Sequence, residues 1–267
     1  MAFVFIASYL LLGLLVGFMA GLLGIGGGAI MVPLFTMLFL HQEVATPQNV
    51  MHLALGTSMA TIIFTSFASM RSHYKKQNVQ TDMAVKISAG VLAGTFAATF
   101  VASHAKGAYL ALFFSAFMVF VAVTMFRKAR YRRNPRPHGT PGNVLTGIVI
   151  GAVSALVSIG GGSLSVPYLM HQNFDIKRAI GTSAAVGFPI AISGTLGYLV
   201  NGWSGTDWNR LTVGYVYLPA VAAVALGSAL TAPLGVKYAT TLPVETLKKI
   251  FGLLAVVLSI KMLFSIL

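Results

Sequence analysis

The sequence predicts an all-α integral membrane protein. Its plan is two inverted repeats, each a re-entrant, broken-helix hairpin followed by three transmembrane helices. Three observations predict it. The chain is 57% hydrophobic and only 9% charged, with a mean hydropathy of +0.84. A soluble domain carries about 25% charged residues, so this chain cannot cover itself with a polar surface in water. Several segments reach the roughly 20 apolar residues that cross a bilayer, and they are continuous, which selects helices over a transmembrane barrel. Third, one costly pattern occurs twice: Ile25-Gly26-Gly27-Gly28 with Pro33 beyond it, and Ile159-Gly160-Gly161-Gly162 with Pro167 beyond it. A glycine inside a helix costs roughly 1 kcal/mol relative to alanine. Three in a row, repeated, mark a sharp turn or a close backbone approach in two equivalent halves.

The elements follow in order. Phe3–Leu23 is a long apolar helix that ends at the first glycine turn. It lacks the basic start of a signal peptide and its apolar run is long, so it is expected to be retained. Ala29–Leu40 is apolar but too short to span. His41–Gln48 is a polar loop, Asn49–Met70 a full-length helix, and Arg71–Gln80 a basic loop. Met83–Ala102 and Ala108–Phe126 are two further spans around Ser103–Gly107. The hydrophilic segment 127–142 holds Arg127, Lys128, Arg130, Arg132, Arg133 and Arg136 among Pro135, Pro137 and Pro141, which makes it a linker. The second half repeats the first. Asn143–Ser158 runs to the second glycine turn, Ser163–His171 is a short helix, and Gln172–Arg178 is a loop. Ala179–Val200 is a span, and Asn201–Asn209 a loop with Trp203 and Trp208 as interface anchors. Arg210–Leu230 and Val244–Phe264 are the last spans, with Pro219 and Pro233 expected to bend or end the helix.

The duplication extends beyond the glycines. Residues 54–83 align with 179–208 without a gap, matching Gly56-Thr57-Ser58 to Gly181-Thr182-Ser183 and Asp82 to Asp207. The domain organisation is therefore a first repeat over 1–126, a basic linker over 127–142 and a second repeat over 143–267, all within one membrane domain.

Charge orients the halves. The net charge is +13, and its basic residues sit in loops, which reads as positive-inside bias and not as a nucleic-acid surface. If the linker is cytoplasmic and each glycine turn is the tip of a hairpin that enters and leaves on one side, Lys106, Arg210 and Lys261 lie outside. The other fifteen of the eighteen basic residues lie inside. If the glycine segments crossed fully, the split would be twelve to six, so the inverted arrangement fits better. At 1.5 Å per residue the short helices then reach only the membrane middle.

A helix that starts at the midplane offers unpaired N–H groups and a partial positive charge, which is an anion site. The candidate substrate-binding residues are Gly26, Gly27, Gly28 and Ala29 at the first turn, and Gly160, Gly161, Gly162 and Ser163 at the second. Thr57, Ser58, Thr182 and Ser183 on the long helices join them. Ser163 and Ser165 add hydroxyls that Ala29 and Met31 lack, so the half-sites are unequal. Packing between membrane helices is the competing role for the Gly-Thr-Ser residues. The carboxylates Glu43, Asp82, Asp175, Asp207 and Glu245 all fall in loops or at helix ends, whereas a cation carrier keeps an acid inside the membrane. His52 and His104 are candidate proton carriers whose simpler reading is interfacial or structural. There is no cysteine, no metal-ligand spacing and no Walker sequence, so no metal, cofactor or ATP is expected, and no catalytic residues. The expected partners are a small anion and membrane lipid. A homo-oligomer is compatible with this plan.

The duplicated Gly-Gly-Gly turn followed by Val-Pro, the two Gly-Thr-Ser helices and the basic linker resemble the TauE/SafE (sulfite exporter) family over nearly the whole chain. The matching segments are Gly26–Gly28, Pro33, Gly56–Ser58, Gly160–Ser163, Pro167 and Gly181–Ser183, with Ser158 where the first copy has Gly24. The resemblance implies an inner-membrane carrier of sulfite, sulfonates or related sulfur-containing anions. Such a secondary transporter would work by alternating access around the two Gly-Gly-Gly helix N-termini. An anion channel with the same site is the alternative.

Overall fold

The computed structural model describes residues 2–23, 27–126, 139–239 and 244–266. Ten α-helices occur among them: α1 (Ala2–Leu23), α2 (Gly28–His41), α3 (Val50–Lys75), α4 (Thr81–His104) and α5 (Gly107–Phe126), then α6 (Thr140–Val157), α7 (Gly162–His171), α8 (Ile176–Asn201), α9 (Leu218–Ala239) and α10 (Val244–Ile266). Seven of them, α1, α3, α4, α5, α6, α8 and α9, are long and apolar enough to cross a bilayer. The chain is an all-α, multi-pass membrane protein. Most of the basic linker, 127–138, lies outside the described residues, as does Gly26.

Each half opens with an antiparallel hairpin around its glycine turn. In the first, Tyr9 near the start of α1 packs on Phe35 and Phe39 near the end of α2, and its hydroxyl donates to the Gln42 Oε1. In the second, the Tyr168 hydroxyl on α7 donates to Asn143 Oδ1 on α6 at 2.6 Å, and Gln172 Nε2 donates to Tyr168 at 3.1 Å. Tyr9 and Asn143 are 134 residues apart, the same offset as the glycine turns. Both hairpins thus return to the side where they began, with a full-length first arm and a short second arm of 14 or 10 residues.

The halves interlock. The most extensive packing joins α1 to α9 and α4 to α6, so the first helix of each half lies on the fourth helix of the other. Both pairs are parallel. A Cβ on Gly13 or Gly17 would meet the backbone of Val224 or Ser228, and one on Gly90 or Gly94 that of Val144 or Ile148. The glycines let the backbones touch, which is how membrane helices associate when lipid competes equally for apolar side chains. The equivalent helices α3 and α8 pair with each other and are antiparallel: Gly194 packs on Met59, and Gly187 on Ser66. On α5 and α10, Ser115 and Ser259 exchange reciprocal hydroxyl-to-carbonyl bonds of 3.4 and 3.1 Å.

Several boundaries differ from expectation for local reasons. α3 continues through Arg71 to Lys75, because a polar turn beyond the bilayer keeps its helical bonds. α8 begins at Ile176, because Asp175 Oδ1 accepts from the Lys177 and Arg178 N–H groups, each at 3.0 Å, as an N-cap. The expected start of a span at Arg210 is wrong. Residues 212–217 form a small antiparallel hairpin pairing Thr212 with Tyr217, and α9 starts at Leu218. Pro219 sits in the first turn of α9, where a proline costs no hydrogen bond.

Candidate functional site

The two glycine turns meet near the middle of the bundle. Gly27 and Gly161 cap α2 and α7 in the same left-handed conformation, with φ of 75° and 79°. An L side chain rarely adopts it, so glycine is required at both. A Cβ on Gly28 would collide with the Ser158 carbonyl of the other turn and crowd Ile62, halfway along α3. On the opposite flank the Gly160 carbonyl lies against Gly187, halfway along α8. The tips therefore touch each other and are clasped by the antiparallel pair α3 and α8. Ser158, in the left-handed position that ends α6, anchors the contact by donating to the Leu55 carbonyl at 3.0 Å.

The N-terminal geometry of α2 and α7 leaves donors free. The Ile30 and Met31 N–H groups bond the Gly27 carbonyl, and those of Leu164 and Ser165 bond Gly161. The N–H groups of Gly28, Ala29, Gly162 and Ser163 precede these bonds and have no acceptor within their own helix.

Side-chain hydroxyls flank the two tips. Ser58, Ser163, Ser165 and Ser183 are buried, and none has a hydrogen-bond partner among the described residues. Ser163 and Ser165 belong to the first turn of α7. Ser183 is one turn from Gly187 on α8, and Ser58 one turn from Ile62 on α3, so each shares a face with a residue touching a tip. Ser154, one turn before the second tip on α6, is also buried and unpartnered. Sequence reasoning passed over Ser154; its one signal was a lone serine in an apolar run.

The threonines of the same motifs have a different use. Thr57 Oγ1 accepts from the Tyr217 N–H at 3.0 Å, immediately before α9. Thr182 Oγ1 accepts from the Gln80 N–H at 3.0 Å, immediately before α4. Each ties its own half to the start of the other half's fourth helix. At the first turn Ala29 and Met31 are buried and apolar, so the hydroxyl donors cluster on the second.

Among the described residues the buried polar side chains are hydroxyls, Asn143, Gln172 and His52, with no carboxylate. Asp82, Asp175 and Asp207 pair locally with Lys86, Arg178 and Arg210 at the faces of the bundle. His52 is held structurally: its Nε2 lies 3.0 and 3.1 Å from the carbonyls of Ala102 and Ala105, and its ring stacks on Tyr215 at 5.2 Å. Among the described residues no three metal-binding side chains converge.

Comparison with known proteins finds membrane transporters. The family model described as sulfite exporter TauE/SafE matches residues 9–262. A probable membrane transporter protein of Haemophilus influenzae is 36% identical over 262 residues, covering 97% of this chain and 98% of that protein. The probable membrane transporter protein YdhB of Bacillus subtilis is 27% identical over 258 residues, covering 94% and 97%. One from Methanocaldococcus jannaschii is 26% identical over 230 residues, covering 85% and 84%. No solved structure matches. With the family model spanning both hairpins and all the spans between them, the chain belongs to the sulfite exporter TauE/SafE family.

Proposed function

We propose that this chain is a secondary transporter of small anions, with sulfite, organosulfonates or related sulfur-containing anions as its substrate class. That it is a membrane transporter follows from its family and its transporter relatives. The observation that carries the finer reading is the set of buried, unpartnered hydroxyls gathered at two facing helix N-termini. A buried polar group without a partner costs about 1–3 kcal/mol, so the unpartnered hydroxyls beside each helix start favour a ligand that accepts from them. The helix ends set its sign: free N–H groups and the macrodipole favour negative charge. Among the described residues no carboxylate is buried there to hold a cation.

The ligand in this reading is held by Gly160, Gly161, Gly162, Ser163 and Ser183, and Gly27, Gly28, Ala29 and Ser58 form the equivalent, hydroxyl-poorer cradle of the first half. Thr57 and Thr182 support it by fixing α9 and α4. Neutral donors suit a carrier. They pay the anion's dehydration in hydrogen bonds without a buried lysine or arginine that would retain it. The parallel pairs α1/α9 and α4/α6 and the antiparallel pair α3/α8 support two repeats, 1–126 and 143–267, of opposite orientation in the bilayer. Rocking of such repeats around a central site is alternating access. The proposed address is the inner membrane, with the linker cytoplasmic by the charge count.

The test is flux of labelled sulfite into liposomes carrying the purified protein. Saturable uptake is expected. Flux of a metal cation with none of any sulfur oxyanion overturns the reading, and single-channel currents without saturation assign a channel.

A further inference from the structure

Building on the anion reading, we infer that the substrate reaches the second glycine turn along α3, through a vestibule with hydroxyls on its α3 wall that opens on the face of the 127–142 linker. A cavity of about 140 Å³, room for several waters or a small oxyanion, lies between α1, α3, α8 and α9 and touches Gly160. Its α3 wall is Thr65, Ser66, Ala68, Ser69 and Ser72, and its other walls are alanines, glycines and Pro233. Positions 65, 69 and 72 form one helical stripe, about 10 Å long at 1.5 Å per residue. Exposure rises along it: Thr65 and Ser66 are buried, Ser69 and Ser72 are partly exposed, and Arg71 and Lys75 beyond them are exposed. An anion leaving the turn would pass from hydroxyl to hydroxyl toward a basic mouth, which raises the local concentration of anions.

Helix packing does not account for this stripe. Small and hydroxylated residues in a packing contact let a neighbour approach closely, as Ser66 does with Gly187, whereas Thr65, Ser69 and Ser72 line space that Ala20 and Ala184 leave open. The repeat supplies an internal control. The 125-residue offset places Ile190, Ala191, Gly194 and Gly197 of α8 at the positions of these four hydroxylated residues. That stripe has no hydroxyl and is filled: Gly194 packs on Met59, and Gly197 on Thr99. The opposite face of the bundle is closed by the 212–217 hairpin. The Tyr215 carbonyl packs on Gly56, and its ring lies against His52 and Tyr198. The α3 stripe on the open side carries hydroxyls, and its equivalent on α8, on the side that is shut, carries none.

The chain contains no cysteine, so single cysteines can be read without background. Ser72→Cys, Ser69→Cys and Thr65→Cys would be exposed in membrane vesicles of each orientation to an anionic, membrane-impermeant methanethiosulfonate, with His138→Cys in the linker as the marker of its face. Expected is labelling of all three from the marker's face, at rates falling from Ser72→Cys to Thr65→Cys, and at least tenfold slower labelling from the other face. Ser69→Trp should lose at least nine-tenths of anion flux at unchanged Tm, and Ser69→Ala, which deletes the hydroxyl but leaves the space, a smaller part of it. Failure of Ser69→Cys and Thr65→Cys to label when Ser72→Cys does, or labelling from the opposite face, overturns the route. Labelling in the expected order in a protein that moves no sulfur oxyanion leaves the route standing and removes the substrate assignment.

Discussion

Ser163 and Ala29 occupy equivalent positions behind their glycine turns, and one carries a donor the other lacks. Replacing Ser163 by alanine deletes a hydroxyl without changing the backbone. A hydrogen bond to a charged group contributes about 1.5–3 kcal/mol, so flux at low sulfite should fall at least tenfold with the protein still folded. Initial rates in liposomes check it. The glycines behave differently. Gly28→Ala drives a methyl into the Ser158 carbonyl and should lower the thermal midpoint in detergent by many degrees before any transport is measured. Gly27→Leu is strained twice over, by its positive φ and by Val16, and so reports on folding as well as on binding. The left-handed turns at Gly27 and Gly161 were legible because the glycine run repeats. Ser154 and the α3 hydroxyls were not, since a lone serine in an apolar helix reads equally well as packing until the cavity beside it is seen.

The helices themselves were legible from apolar length. Their ends were not wherever a cap or a short hairpin intervened. Asp175 draws α8 one turn earlier than its apolar run, and Arg210–Tyr217 reads as the beginning of a span only until its two short strands pair. The Gly-Thr-Ser motif divided by chemistry. Its serines stay unpartnered at the centre, while Thr57 and Thr182 accept the N–H groups that precede α9 and α4. Thr57→Val keeps the shape and leaves the Tyr217 N–H without its acceptor, which costs about 1–3 kcal/mol. Its thermal midpoint should fall, and Thr182→Val should fall with it by a similar amount. Both should retain a sulfite KM close to the parent, which separates support from direct contact.

At the scale of the molecule, two repeated motifs suggested equivalent halves, but the pairing of α1 with α9 and of α4 with α6 was not legible. Nothing in the sequence of α1 names α9 as its neighbour, because glycines fit any close helix. The direction of every helix now makes a sided prediction. Single cysteines at Gln77 and Asn173 should label from the same face as the linker, and those at Lys106 and Ser204 from the other. Parallel halves would move the Asn173 label across. Impermeant maleimides on intact cells and inverted vesicles check it.

The pairing of α1 with α9 and of α4 with α6 also bears on biogenesis. During synthesis α1 enters the membrane some two hundred residues before its main partner exists, and its glycine face has only lipid or a chaperone to meet until then. Neither half can complete its packing alone. Two fragments divided in the linker should therefore be degraded when made singly and recover activity when made together.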